Sequence, residues 1–216
     1  AKLSASAAAI LLDKHISVDR PNEHGWRPLH VAAAEGNEAL CEALLRGKAD
    51  PDAKTQDGDT AIHAAAASGH VLVLAALLRH KADINSRNSY ECMPMHWAAM
   101  AGHGEVVEIL IREGADLNPR NGSQKTPLHH AAAKGFLPIV ELLIQNEAFL
   151  NPWDEVGRTP LHDAAELGHM SVCRALVTAG ARLDVRDEKG KTPYDVASSK
   201  ELRVLLDYHS QTCTLS

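Results

Sequence analysis

Aromatic side chains are scarce: three tryptophans, three tyrosines and two phenylalanines make up 4% of the 216 residues, although 45% are hydrophobic. Such a pool supplies core material with little bulk and points to many aliphatic helices. An excess of basic charge is also missing, since 22 lysines and arginines face 28 carboxylates for a net charge of -6. That balance argues against a binder of nucleic-acid backbones, which concentrates cations on one surface. The cysteines, Cys41, Cys92, Cys173 and Cys213, show neither C-x-x-C spacing nor a disulfide framework, and no signal peptide or apolar run of membrane length is present. A soluble protein of a reducing compartment is expected, in the cytoplasm and with the nucleus also open to it. No nucleophile elbow, H-E-x-x-H pair or phosphate-binding glycine loop occurs, so catalysis has no visible foothold.

What the chain does have is a period. The tetrapeptides RPLH (27–30), TAIH (60–63), MPMH (93–96), TPLH (126–129), TPLH (159–162) and TPYD (192–195) recur every 33 residues without an insertion. Gly36, Gly69, Gly102, Gly135 and Gly168 keep the same register, as do Leu44, Leu77, Leu110, Leu143 and Leu176.

Each period reads as a helix pair and a turn. Thr60, Thr126, Thr159 and Thr192 suit a helix N-cap, where a hydroxyl accepts from a free backbone N–H, and a following proline presets φ. The glycine column suits the left-handed residue that ends the helix. The alanines between keep this helix slim, so that neighbouring units approach closely. A second helix carries apolar columns at Leu40/Val73/Val106/Ile139/Val172, at Leu44 and its repeats, and at Leu45/Leu78/Ile111/Ile144/Val177, a spacing of i, i+4, i+5 on one face. Polar, turn-rich stretches such as ADPDAKTQDG and ADLNPRNGSQ then predict an extended hairpin.

These motifs resemble the ankyrin repeat, whose pattern runs D-x-x-G-x-T-P-L-H-x-A-A-x-x-G-H, then V-x-x-L-L, then G-A-D-x-N. The resemblance implies an all-α fold, an ankyrin-repeat solenoid of helix-turn-helix units with projecting β-hairpins. Residues 1–23 read as a partial N-terminal repeat, 24–56, 57–89, 90–122, 123–155 and 156–188 as full repeats, and 189–216 as a C-terminal capping repeat and tail. The chain departs from the pattern where Glu91 and Gln124 replace the hairpin glycine, Ala61 the proline, and Lys48, Lys81 and Glu147 the glycine seen at Gly114 and Gly180. Those departures put local hairpin geometry in question.

The resemblance also implies a non-enzymatic module, adaptor, scaffold or inhibitor, that binds one or more proteins through a concave face and hairpin tips without a cofactor. The partner is a folded surface or an extended peptide, and the chain alone is expected to be monomeric. Two other readings stay open: a targeting domain of a larger enzyme, and an assembly chaperone or inhibitor of an ATPase or kinase.

Of the 13 histidines, His30, His63, His96, His129 and His162 hold the tetrapeptide column and His70, His103 and His169 follow the helix-ending glycine. Spread through successive units, they do not converge as three or four metal ligands would, and a structural bond to neighbouring backbone and the threonine hydroxyl is expected instead. The columns that vary between repeats are the candidate contacts. They are Trp26, Asp59, Cys92, Lys125, Arg158 and Lys191 beside the hairpins, Glu35, Met100, Lys134 and Glu166 on the first helices, His130 and Asp163 one past the tetrapeptide, and Tyr90 in a turn. Trp26, Tyr90 and Trp153 fall in predicted hairpins, where exposed aromatics serve as hot spots or fold onto the hairpins themselves; Trp97 is assigned to packing. Charge on these columns shifts from Glu23, Glu35, Asp57 and Asp59 early in the chain to Lys125, Lys134, Arg158 and Lys191 later, a pattern suited to an acidic segment on the C-terminal half unless it is ordinary solvated charge.

The chain ends CTLS, a C-a-a-X arrangement in which Cys213 would take a farnesyl group. One short lipid without a polybasic run gives only weak, reversible membrane attachment, the sole membrane association expected. Asn121-Gly122-Ser123 is read as an accidental glycosylation sequon. Asn85, Asn118 and Asn151 occupy a column that, in similar ankyrin proteins, is open to asparaginyl hydroxylation, with a structural hairpin role as the stronger expectation.

Overall fold

The computed structural model describes residues 19–213, with side chains as far as residue 207. Twelve helices are present among the described residues: α1 Pro28–Ala34, α2 Glu38–Arg46, α3 Ala61–Ser68, α4 Val71–Arg79, α5 Pro94–Ala101, α6 Gly104–Arg112, α7 Pro127–Lys134, α8 Leu137–Gln145, α9 Pro160–Glu166, α10 Met170–Thr178, α11 Pro193–Val196 and α12 Lys200–Cys213. They fall into two compact units, Ala1–Ala115 and Asp116–Ser216. In the first unit α1 packs on α3 and α3 on α5, with α2, α4 and α6 stacked behind; in the second, α7, α9 and α11 stack likewise, with α8, α10 and α12 behind. None of these helices is long and apolar enough to cross a membrane.

Slim first helices make the stacking tight. The alanine pairs 32–33, 65–66 and 98–99 of the first unit and 131–132 and 164–165 of the second have no accessible surface. On the second helices the columns headed by Leu40 and Leu44 are buried throughout, but Leu78, Ile111 and Ile144 of the third expected column are only half-buried. Cys41, Leu74, Val107, Val140 and Cys173 are fully buried in their place. Each such aliphatic side chain withdraws about 1.5–3 kcal/mol of apolar surface from water.

The tetrapeptide histidines hold successive turns together, and their geometry fixes their tautomer. In the second repeat the Thr60 N–H donates to His63 Nδ1 at 3.1 Å and the Thr60 hydroxyl lies 2.9 Å from the same nitrogen. Since Nδ1 accepts, the proton sits on Nε2, which donates to the Cys92 carbonyl at 3.0 Å. His129 and His162 repeat the arrangement onto the carbonyls of Arg158 and Lys191. The threonine hydroxyl therefore turns to the ring, where the sequence led one to expect an acceptor for the helix N–H; Thr192, whose partner is Asp195, keeps that cap at 3.3 Å. Burial lowers the pKa of His30, His63, His129 and His162, that of His129 to about 4.

The second histidine column works in the other direction. His70 Nε2 donates to the Ala34 carbonyl, His103 to Ala67 and His169 to Ala133, each at 3.0–3.1 Å. Gly69 sits under the His103 ring at φ +76, where an added Cβ would meet Nδ1 at 2.6 Å. Glycine is needed twice over there, for the backbone angle and for the approach.

The hairpins are tight turns, each closed by a backbone pair such as Thr55 N to Asp59 O at 2.9 Å, and no strand forms among the described residues. One backbone bond links neighbouring tips, as in Ser89 N to Asp57 O at 2.9 Å, which is too little for a strand ladder. The substituted glycines leave the geometry intact, because Lys48, Lys81, Glu91, Gln124 and Glu147 all take φ between 57 and 68. Asn121 is buried and its amide Nδ2 lies 3.2 Å from His130 Nε2, so its sequon has no free amide to offer. Asn118 and Asn151 accept from the next turn at Phe149 N and Arg182 N, a structural role. Cys213 closes α12; its side chain and the rest of the CTLS tail lie outside the described residues, as does the partial repeat up to residue 18.

Candidate protein-recognition site

In the first unit the varying columns enclose an apolar groove of about 190 Å³, lined by Trp26, Ala34, Asp59, Ala64, Ala67 and Trp97 together with the edges of His30 and His63. An apolar cavity of roughly 150 Å³ holds a benzene ring, so this one is sized for a single aliphatic or aromatic side chain. Its floor is alanine because α3 presents Ala64 where the other repeats carry Val31, Trp97, His130 and Asp163, and Ala67 where Met100 and Glu166 stand in two of them. The tryptophans come from the flanking repeats: Trp26 stands tilted on His30 with ring centroids 6.0 Å apart, and Trp97 rises from α5.

Besides the hydroxyl residues Thr55 and Ser68 in its lining, two polar features mark the groove. Asp59 accepts from Asn88 Nδ2 at 2.8 Å through Oδ1, which leaves Oδ2 without a side-chain partner. Asp59 is also the one formal charge in the lining, because burial holds His30 and His63 neutral. The second feature is the Trp97 indole N–H, buried with no acceptor. An orphaned donor costs about 1–3 kcal/mol, and buried polar groups without a partner are rare enough that each calls for a physical reason.

The same columns in the second unit form something different. Lys125 Nζ lies 2.8 Å from Asp163 and 3.3 Å from Asp154; Arg158 lies 3.3 Å from Asp163 and 2.7 Å from Glu166. The carboxylates of Asp154 and Asp163 are almost fully enclosed. Burial depresses the Arg158 pKa, but the Glu166 hydrogen bond and the nearby carboxylates outweigh it and the net shift is upward. Two cations meet three carboxylates, so Lys125 and Arg158, two of the four cations of the basic pattern read from the sequence, are compensated within the fold, while Lys134 and Lys191 stay exposed. Asp154, absent from the sequence-based candidates, is the residue that compensates Lys125 from below.

The remaining candidates are scattered. Tyr90 is exposed at its turn and outside the groove, while Glu35 and Lys134 stand exposed at helix ends and Lys191 beside its turn. Met100 is half-buried on α5, His130 sits 3.2 Å from Asn121 Nδ2, and Cys92 serves through its carbonyl. Trp153 is exposed, with the Arg120 guanidinium 4.9 Å from its ring centroid, a cation–π contact between neighbouring turns. Sequence reasoning thus joined Trp26 to Asp59 but sent Trp97 to the packing; the signal available was its position in the column of His130 and Asp163, which had been read as free to vary. Burial pushes the Cys41 and Cys173 thiols up to about 12, far from a nucleophile's range. Among the described residues no three histidine, cysteine or carboxylate side chains come together as metal ligands.

Stacked helix pairs riveted by histidines, with a variable face built on alanine, define a repeat scaffold for binding. The family profile "Ankyrin repeats (3 copies)" matches residues 32–121 and 95–187, more than half of the sequence. The chain belongs to the ankyrin-repeat family. Among solved structures it is similar to the ankyrin repeat domain of human ASB11, with a TM-score of 0.87 and 26% identity over 95% of this chain and 92% of that one. It is similar as well to the ankyrin repeat domain of Bcl-3, described as a unique member of the IkappaB protein family, with a TM-score of 0.81 and 27% identity over 94% and 91%. Comparison with curated protein sequences gave no match. Ankyrin repeats are in general protein–protein interaction modules, and proteins of this kind are typically non-enzymatic.

Proposed function

We propose that this chain is a non-enzymatic recognition module, an adaptor, scaffold or inhibitor, whose primary contact surface is the groove between Trp26 and Trp97 of the first unit. The observation that carries the reading is that groove: an apolar floor of small residues between two tryptophans, with one unshared carboxylate oxygen and one unpaired donor. Apolar concavities with a few polar groups are the usual form of a binding site, and tryptophan is prominent among interface hot spots. A stable complex buries about 1,200–2,000 Å², so the groove would be the anchor of a wider contact that reaches the hairpin tips. The proposal places the protein in the cytoplasm, where reduced Cys41, Cys92 and Cys173 are at home.

The test is an affinity pull-down with the parent chain and with Ala64→Leu, whose fold is checked by circular dichroism. Leucine is a good helix former and its side chain would occupy the groove. Partners retained by the parent and lost by the folded variant fit the proposal; partners held equally by both place recognition elsewhere.

A further inference from the structure

The chemistry of the groove wall narrows what it accepts. Its floor, Ala34, Ala64 and Ala67, offers no hydrogen bond, so the occupant's inserted group is apolar. Its volume of about 190 Å³ admits one bulky side chain and not a helix. Its single charge is the Asp59 carboxylate, with Oδ2 unshared. Exposed Glu35 and Asp57 stand nearby in sequence, and over residues 19–115 fourteen carboxylates face nine lysines and arginines. Nucleic acid and acidic peptides are disfavoured by that field, whereas a cation beside the inserted group is drawn to it.

We propose that the groove of the first unit takes an extended protein segment in which one bulky apolar side chain neighbours a lysine or arginine. The apolar side chain sits on Ala64 and Ala67 between the two indoles, and the cation faces Asp59 Oδ2. Trp97, whose buried N–H has no acceptor, forms one wall against the inserted side chain. This inference rests on the groove being the contact surface, as proposed above, and adds the partner's chemistry.

The experiment selects a displayed library of random dodecapeptides on the full chain, then titrates a synthetic peptide of the most enriched sequence while recording the three tryptophan indole NMR signals. The expected outcome is enrichment of an apolar residue beside lysine or arginine, movement of the Trp97 signal, and a stationary Trp153 signal. Affinity falls at least about thirtyfold in Ala64→Leu and about five- to tenfold in Asp59→Asn, which keeps an oxygen for Asn88; replacing the peptide's cation by glutamate costs about tenfold, and Asp59→Asn removes that preference. Peptides blocked by Ala64→Leu but indifferent to the cation would overturn the partner chemistry and leave the groove as the site. Peptides insensitive to both variants, or moving Trp153 instead, would overturn the groove itself. Failure to enrich any sequence would overturn recognition of a linear segment. Should Ala64→Leu misfold, the charge comparison with Asp59→Asn decides alone.

Discussion

One position past each of the five tetrapeptides that end in histidine, residues 19–115 place Val31, Ala64 and Trp97, and residues 116–207 place His130 and Asp163. The backbone beneath these residues is the same, down to the histidine that bonds the next turn. Yet Ala64 and Trp97 leave an apolar groove, while Asp163 draws Lys125 and Arg158 into a network that compensates their charge; each arrangement keeps one buried donor without an acceptor, Trp97 Nε1 in the first and Arg158 Nε in the second. Polar groups that satisfy one another within the fold have little left for a partner, because breaking such pairs costs more than re-forming them returns. On the function proposed above, the capacity to bind follows the apolar groove that the variable column leaves open in the first unit.

If the frame is common to both units, damage to it should be common too. Gly69→Ala in the first unit and Gly135→Ala in the second each force a Cβ within 2.6 Å of a histidine ring at φ above +70, and each is expected to cost about 3 kcal/mol or more. Gly114→Ala, also at positive φ but with open space around it, should cost only about 1 kcal/mol. Chemical denaturation of the three variants checks this, and a large difference between Gly69→Ala and Gly135→Ala would break the shared-frame side of the comparison.

Acid is the next largest lever. The folded state holds His30, His63, His129 and His162 below the ordinary value of 6.5, so between the two values the unfolded chain binds more protons and stability rises with pH. The contribution is complete above about pH 6.5 and is lost as pH falls toward about 4, the folded value for His129. That residue alone accounts for about 3 kcal/mol on this reckoning. Stability curves from pH 7.5 to 4, with histidine NMR titrations, should show His129 titrating near 4 and His30, His63 and His162 below the ordinary value; a His129 pKa above 6.5 would refute the tautomer argument.

The network distinguishes the units at a smaller scale. Asp163→Ala leaves Lys125 and Arg158 facing fewer carboxylates and should destabilise by about 2 kcal/mol, discounted for their partial exposure, with the deficit reduced in 1 M salt. Ala64→Leu, its counterpart in the groove, should change stability by no more than about 0.5 kcal/mol. Thermal melts of both variants sharpen the contrast directly. Smallest of all, Lys48→Gly or Glu147→Gly should stabilise by about 0.5–1 kcal/mol, because both positions already hold a left-handed backbone that glycine adopts freely.

The frame was legible in the sequence because it repeats. A tetrapeptide every 33 residues announced the helix starts, and the glycine column announced their ends. The deep column of Cys41, Leu74, Val107, Val140 and Cys173 escaped notice because spacing alone does not say which of two adjacent apolar columns faces inward. The site was legible only in its membership. Trp26 and Asp59 were found by their variable columns, but whether a variable residue is open or spent depends on partners from other repeats. Asp154 lies in a turn column that the sequence reading did not single out, and nothing in its neighbours foretold that its second oxygen would meet Lys125. For the same reason Trp97 looked like packing: that its N–H lacks an acceptor is a fact of three dimensions.

The most direct test sets Ala64→Leu against His130→Leu, the same substitution at the same column in the two units, each titrated calorimetrically with the selected peptide. The account predicts at least about a thirtyfold loss of affinity for Ala64→Leu and a change within about twofold for His130→Leu. Equal losses in both, or a loss confined to His130→Leu, would contradict the claim that recognition resides in the groove of the first unit.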